Sequence, residues 1–222
     1  MVRQAFGRRA VLHASFAAGL AAACSREADN IAPPEDLMRE HGVLNRILLV
    51  YEEGARRSDA GSALPLGSLG KGAELIHRFI EQYHERLEED FLFPLFERAN
   101  RLVDVVSTLR RQHVAGRALT ESIQRAVAQA TLDDAGQRRL VAQMRAFIRM
   151  YRPHEAREDT VIFPALRSLV SDKQLGELGE TFEDKEHQLF GKDGFEGVVR
   201  EVEAIERELG ILDLGQFTPA AT

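Results

Sequence analysis

The chain has 222 residues and a formal net charge of −6, with 44% hydrophobic and 29% charged residues. This composition is typical of a soluble globular protein with a buried core, and the length suits one domain with a short appendage. The acidic balance argues against a nucleic-acid partner, which would require a basic surface. The single cysteine, Cys24, excludes an intrachain disulfide and a cluster of thiolate metal ligands.

Residues 1–23 are predicted to be an export signal. Basic residues, including Arg8 and Arg9, precede an apolar run that is too short for a convincing membrane span. The arginine pair resembles a twin-arginine (Tat) signal, and Cys24 follows three alanines, as at a lipoprotein cleavage site. The sequence therefore predicts an exported, periplasmic protein anchored to the membrane by a lipid on Cys24. An ordinary cleaved signal with an incidental cysteine is the alternative.

The chain from Pro33 onward is predicted to be helical, after a linker at residues 24–34. Apolar residues recur at helical spacing, and no alternation typical of strands is present. Short breaks between the segments predict antiparallel neighbours, and Asp133 is a plausible N-cap. We therefore expect an all-α fold, an up-down-up-down four-helix bundle at 35–170 with a C-terminal helical extension at 171–209 and a tail at 210–222. The bundle helices are expected at 33–57, 73–100, 103–130 and 133–169, with a Gly/Ser/Pro-rich connection at 58–72.

A sequence repeat places histidines and carboxylates together. The stretch YHERLEEDFLFPLF, which begins at Tyr83, returns 70 residues later as PHEAREDTVIFPAL. In each copy a histidine precedes a glutamate by four residues, which puts both side chains on one helix face. One further histidine precedes each copy, and a rise of about 1.5 Å per residue lets all four histidines reach a similar depth in the bundle. The predicted convergent residues are His41, His84, Glu88, His113, His154 and Glu158.

This set of side chains suits a metal. Four imidazoles and two carboxylates fit a borderline ion such as iron, and carboxylates can bridge two ions; zinc or manganese could use the same ligands. The alternative is a metal-free structural protein in which the repeat only packs. Six unpaired polar groups in a core would each cost about 1–3 kcal/mol, against a domain stability of about 5–15 kcal/mol. Apolar neighbours such as Leu87 and Ile162 indicate that the repeat faces the core, which favours the metal site.

The pattern H…HxxxE…H…HxxxE, with a Phe-Pro pair after each HxxxE, resembles the hemerythrin-like proteins with an HHE cation-binding domain. The resemblance covers about residues 35–170. It implies two iron ions per chain, joined by an oxo or hydroxo bridge, with His41 and His84 on one ion, His113 and His154 on the other, and Glu88 and Glu158 bridging. It also implies binding or sensing of oxygen or a related small ligand, or the handling of iron.

The sequence departs from the oxygen-carrying hemerythrins at two positions. Those proteins have a second histidine one turn after the helix-three ligand, where this chain has Arg117; their last helix uses an aspartate five residues after its histidine, where this chain has Glu158 at four. We therefore expect an open or water-filled position on one iron, or a ligand from elsewhere. His187, in the extension, is a candidate for that ligand, and the alternative is that it is a surface histidine. An open position favours reaction with oxygen, peroxide or nitric oxide, so an enzyme that removes peroxide or nitric oxide is the alternative function. His77 lies about 10 Å along the helix from His84 and is expected to be structural.

Overall fold

A computed structural model describes residues 31–219 of the chain. The predicted export signal, Cys24 and most of the predicted linker lie outside the described residues. Within the described range the chain is all-helical and contains no strand, as predicted, and none of its helices is long and apolar enough to cross a membrane. The helices are α1 (Pro33–Asp59), α2 (66–98), α3 (Val103–Val127), α4 (134–166), α5 (Asp172–Phe190) and α6 (Gly194–Leu209).

The helix starts follow local chemistry. Helix α1 begins with two prolines, whose fixed φ suits a first turn, and with Glu35 and Asp36 near the positive end of the helix dipole. The Asp133 side chain accepts a hydrogen bond from the Gly136 amide at 2.7 Å, which confirms the predicted N-cap of α4. Ser171 and Gln174 cap α5 reciprocally.

Helix α2 begins at Leu66, seven residues before the predicted start at 73, so the predicted connection at 58–72 was wrong over its second half. Its glycines lowered the helical propensity of this segment, but tertiary packing outweighs that preference. A Cβ on Gly70 would lie 3.3 Å from Val127, and one on Gly72 would lie 3.3 Å from Ile47. The small residues therefore allow α2 to approach α1 and α3 closely.

The core lies between α1, α2, α3 and α4. Helix α1 packs against α2 and α4, and α3 packs against the same two helices. The C-terminal extension covers one side of this group, because α6 packs on α1 and α2 through Val198, Val202 and Ile205. Phe182 of α5 contacts Phe91 edge to face, with the ring centroids 5.9 Å apart.

Both copies of the repeat contain a wider π-helical turn at the same place. These turns span Glu88–Leu92 in α2 and Glu158–Ile162 in α4, and each begins at a predicted ligand. Pro94 and Pro164 follow two residues later. A proline ring clashes with the carbonyl four residues earlier in a regular α-helix, so the wider turn lets each helix continue past its proline. A longer π-helical segment, Ile76–His84, ends at a predicted histidine ligand.

Candidate metal centre

All six predicted side chains meet in the core, and each is buried. The Nε2 atoms of His41 and His84 are 3.1 Å apart, and those of His113 and His154 are 3.3 Å apart. The structure therefore contains two histidine pairs, one from α1 and α2 and one from α3 and α4. Two groups could each hold a metal ion, because their ligand atoms lie within 4.8 Å of one another: His41, His84, Glu88 and Glu158 form the first, and His113, His154 and Glu158 the second.

The two glutamates lie between the histidine pairs. Glu88 Oε2 is 3.8 Å from His84 Nε2 and 3.4 Å from His113 Nε2. Glu158 Oε2 is 3.1 Å from His154 Nε2 and 3.4 Å from His41 Nε2. Each carboxylate thus faces one histidine of the first pair and one histidine of the second pair.

The oxygens of both glutamates are buried and form no hydrogen bond of suitable geometry. An unpaired buried carboxylate is costly, by several kcal/mol when ionised. Cations between these oxygens and the Nε2 atoms would satisfy them. The donor set of imidazole nitrogen and carboxylate oxygen therefore fits a borderline metal such as iron.

The other ring nitrogen of each of the four central histidines has its own acceptor. A donating Nδ1–H leaves the Nε2 lone pair of a neutral imidazole free to face a metal, and such partners fix the ring orientation. The Nδ1 groups donate from His41 to Asp159 (2.7 Å), His84 to Glu40 (2.6 Å), His113 to Glu89 (3.0 Å) and His154 to the Gln112 amide oxygen (3.0 Å).

A phenylalanine of each copy of the repeat stacks on the single histidine that precedes the other copy. Phe163 stacks on His41 with ring centroids 5.5 Å apart, and Phe93 stacks on His113 at 5.6 Å; both pairs have an interplanar angle of 24°. The phenylalanine of each Phe-Pro pair therefore holds the ring of a candidate ligand on a neighbouring helix.

Arg117 is held away from the histidines by carboxylates. Its Nη2 lies 2.7 Å from Glu85 Oε2 and 2.7 Å from Glu89 Oε1, the atom that accepts the His113 Nδ1–H. Tyr151 donates to the other Glu85 oxygen at 2.7 Å. Burial raises the pKa of Glu85 to about 8, although Arg117 and Tyr151 act in the opposite direction. Arg117 is thus a positioning residue and not a ligand.

The two central carboxyl groups have pKa values displaced in opposite directions. Burial raises the pKa of Glu88 well above its usual range, and the nearby charge of Glu158 raises it further. Burial also acts to raise the pKa of Glu158, but His154 and His41 outweigh it and hold that pKa well below its usual range. Two carboxyls that share a site behave in this way because both cannot ionise without a compensating cation.

The family model for the hemerythrin HHE cation binding domain matches residues 32–166. The chain belongs to this family. Membership implies that the HHE domain binds a cation, in agreement with the histidine and glutamate groups described above.

The relatives of this HHE protein include uncharacterised proteins of Mycobacterium bovis and of two strains of Mycobacterium tuberculosis. Each is 52% identical over 191 residues, which is 86% of this chain and 75% of the relative. No solved structure matches the chain.

Among the residues that the structure describes, His77 and His187 lie outside the centre. His187 is exposed on α5 and belongs to neither histidine pair, so the structure does not bring this candidate additional ligand to the site. His77 faces Glu81, with Nδ1 3.0 Å from Oε2, which agrees with the structural role expected for it.

Sequence reasoning did not assign the four acceptors of the histidine Nδ1 groups. A signal for them was present, since each acceptor is adjacent in sequence to a predicted ligand, and the four form two equivalent pairs of positions. Glu89 and Asp159 directly follow the two central glutamates, and Glu40 and Gln112 directly precede His41 and His113. Which acceptor serves which histidine depends on how the helices pack, and that is not visible in the sequence.

Gly116 provides a test of the packing beside the centre. A Cβ at this position would lie 2.0 Å from the Tyr151 hydroxyl, so Gly116→Ala must displace Tyr151 from Glu85. We expect the free energy of unfolding, measured with urea, to fall by about 1–3 kcal/mol. The matched control is Gly42→Ala in α1, where an added Cβ meets nothing within 4 Å and should raise that free energy by up to about 1 kcal/mol. Equal effects of the two substitutions would contradict this packing.

Proposed function

We propose that this protein is a non-haem di-iron protein. His41 and His84 would hold one ion, His113 and His154 the other, and Glu88 and Glu158 would bridge them within an up-down-up-down four-helix bundle. The observation that carries this proposal is the position of the glutamates, each between a histidine of one pair and a histidine of the other. A single ion would not require two histidine pairs joined by two carboxylates.

The function that this site supports best is the binding or sensing of oxygen or a related small ligand. An iron pair supplies one-electron redox chemistry and positions at which such a ligand can attach. The chain supplies four oriented imidazoles, two carboxylates and a buried surrounding that limits access of bulk water. Arg117 favours this function over oxygen carriage of the hemerythrin type, because it is tied to Glu85 and Glu89 and cannot replace the missing histidine.

A second candidate is an enzyme that removes peroxide or nitric oxide. It is favoured by Arg117, which is tied to Glu85 and Glu89 and so leaves the position of the missing histidine without a protein ligand. Fewer protein ligands leave more room for a substrate.

One experiment separates the two functions. The full chain is loaded with Fe(II) without oxygen, and its absorbance spectrum is followed as oxygen, hydrogen peroxide or nitric oxide is added. Ligand binding or sensing predicts a spectral change with about one ligand consumed per site. Consumption of many peroxide or nitric oxide molecules per site would establish the enzyme instead. A spectrum that responds to none of the three would contradict both functions.

We further propose that residues 1–23 direct export to the periplasm and that Cys24 carries a lipid anchor. The support is the arginine pair, the apolar run and the small residues before Cys24. We expect Arg8→Lys combined with Arg9→Lys to retain the protein in the cytoplasm, as measured by cell fractionation, and Arg3→Lys to leave export unchanged. Equal export of both variants would contradict a twin-arginine signal.

A further inference from the structure

Three carboxylates converge at a second place, between α1 and α5. Asp36, Glu40 and Glu186 each offer an oxygen, and these oxygens lie within 4.8 Å of one another. Glu40 is fully buried, whereas Asp36 and Glu186 are partly exposed, so the cluster extends from the surface into the core. None of the three belongs to the six-residue centre.

Two buried polar atoms at this place have no hydrogen-bond partner of suitable geometry. They are the second oxygen of Glu40, Oε1, and the hydroxyl of Tyr83, a side chain only 1% exposed. The Tyr83 hydroxyl lies beside the Glu40 carboxyl, but not in the geometry of a hydrogen bond, and burial followed by the charges of Glu40, Glu186 and Asp36 raises its pKa. Four oxygen-bearing groups thus lie together, and neither Glu40 Oε1 nor the Tyr83 hydroxyl has a hydrogen bond of suitable geometry.

The surrounding residues neutralise this cluster only in part. Arg39 Nη1 is 3.1 Å from Asp36 Oδ1, but its other terminal nitrogen is 3.6 Å from Glu196, so one cation serves two acids. Glu186 Oε1 accepts a backbone hydrogen bond from Phe195 at 3.1 Å. Oε2 of Glu40 accepts a hydrogen bond from the His84 Nδ1–H, whereas Oε1 has no hydrogen bond of suitable geometry.

The position equivalent to Glu40, directly before the other single histidine, holds an uncharged residue. Gln112 occupies the equivalent position, directly before His113, and its neutral amide orients His154 at 3.0 Å. Glu40 thus brings to its histidine a carboxyl group where the equivalent position has an amide. A carboxylate differs from that amide in its affinity for cations.

We propose that Asp36, Glu40, Glu186 and the Tyr83 hydroxyl form a second cation site, which takes a hard divalent ion. Carboxylate and hydroxyl oxygens are the ligands that such ions prefer. Through Glu40 the site directly contacts His84, so an ion held here lies beside the centre. Its use as a loading point for that centre rests on the proposed function; the site itself does not.

Terbium luminescence tests this site, because Tb³⁺ prefers oxygen ligands and emits when a nearby aromatic residue is excited. The chain has no tryptophan and three tyrosines, so the antenna must be a tyrosine. The full chain is first loaded with Zn²⁺ to fill the six-residue centre, the retained zinc is counted, and Tb³⁺ is titrated. We expect saturable emission from the wild type, and at least about a tenfold loss of affinity in Asp36→Asn and in Glu186→Gln, since each removes one ligand charge.

Two further variants make the result specific. Tyr83→Phe should reduce the emission while the protein stays folded by circular dichroism, and Glu180→Gln, an exposed acid of the same helix as Glu186, should behave as the wild type. Absent emission in the wild type, or equal affinity in Asp36→Asn, Glu186→Gln and Glu180→Gln, would overturn the site. The zinc count reports separately on the centre: no retained zinc would count against the proposed function, while the comparison of variants would still decide the second site.

Discussion

The double variant His84→Ala with His154→Ala is expected to retain no metal after loading and desalting. Each substitution removes one imidazole from a histidine pair, so neither His41 nor His113 keeps a partner nitrogen near 3 Å. Removal of only the hydrogen-bond partner of a metal-bound histidine typically lowers metal affinity about 10–100-fold. Loss of a ligand from each position should lower it further. Elemental analysis of the desalted protein measures the result.

The matched control is His77→Ala with His187→Ala. It removes the same number of imidazoles from outside the centre, and it should retain as much metal as the wild type. Circular dichroism must show that both double variants are folded. Metal retained by the His84/His154 variant at the wild-type level would show that the two pairs are not the ligands.

Replacement of Glu88 by glutamine should separate metal binding from stability. Neither oxygen of this buried carboxyl group has a hydrogen-bond partner, and burial already disfavours its charged form, so the metal-free protein should accept an amide of the same shape. We expect the free energy of unfolding of the metal-free protein to stay equal or rise by about 1–2 kcal/mol. Metal affinity should fall at least about 100-fold, because a bridging negative charge is lost from both positions. Urea unfolding after chelation, and anaerobic Fe(II) titration by calorimetry, give the two values.

Glu74→Gln is the control for this substitution, since it makes the same change at an exposed position of the same helix. It should alter neither quantity. A large loss of stability in metal-free Glu88→Gln, together with unchanged metal affinity, would mean that Glu88 serves the fold and not a metal.

Four of the six central residues were predictable because the sequence repeats them at an offset of 70 residues, and His41 and His113 because the helical rise brings them to a similar depth. A spacing of four residues puts His84 on the same helix face as Glu88, and His154 on the same face as Glu158, whatever the packing of the helices. The N-cap at Asp133 was predictable for a similar reason, since capping depends on a few adjacent residues.

Features that depend on how helices approach each other were not predictable. The early start of α2 required knowledge that Gly70 and Gly72 contact neighbouring helices. The stacking of Phe163 on His41 joins α4 to α1, which are far apart in the sequence. The cluster of Asp36, Glu40 and Glu186 joins the first helix to the extension, and no local pattern connects them.

The most direct test of the central claim is the metal stoichiometry of the wild-type chain. The protein is loaded with Fe(II) without oxygen, desalted and measured by elemental analysis. Two histidine pairs joined by two carboxylates predict about two irons per chain. No retained metal would contradict the account, because the repeat would then be only a packing unit in the bundle.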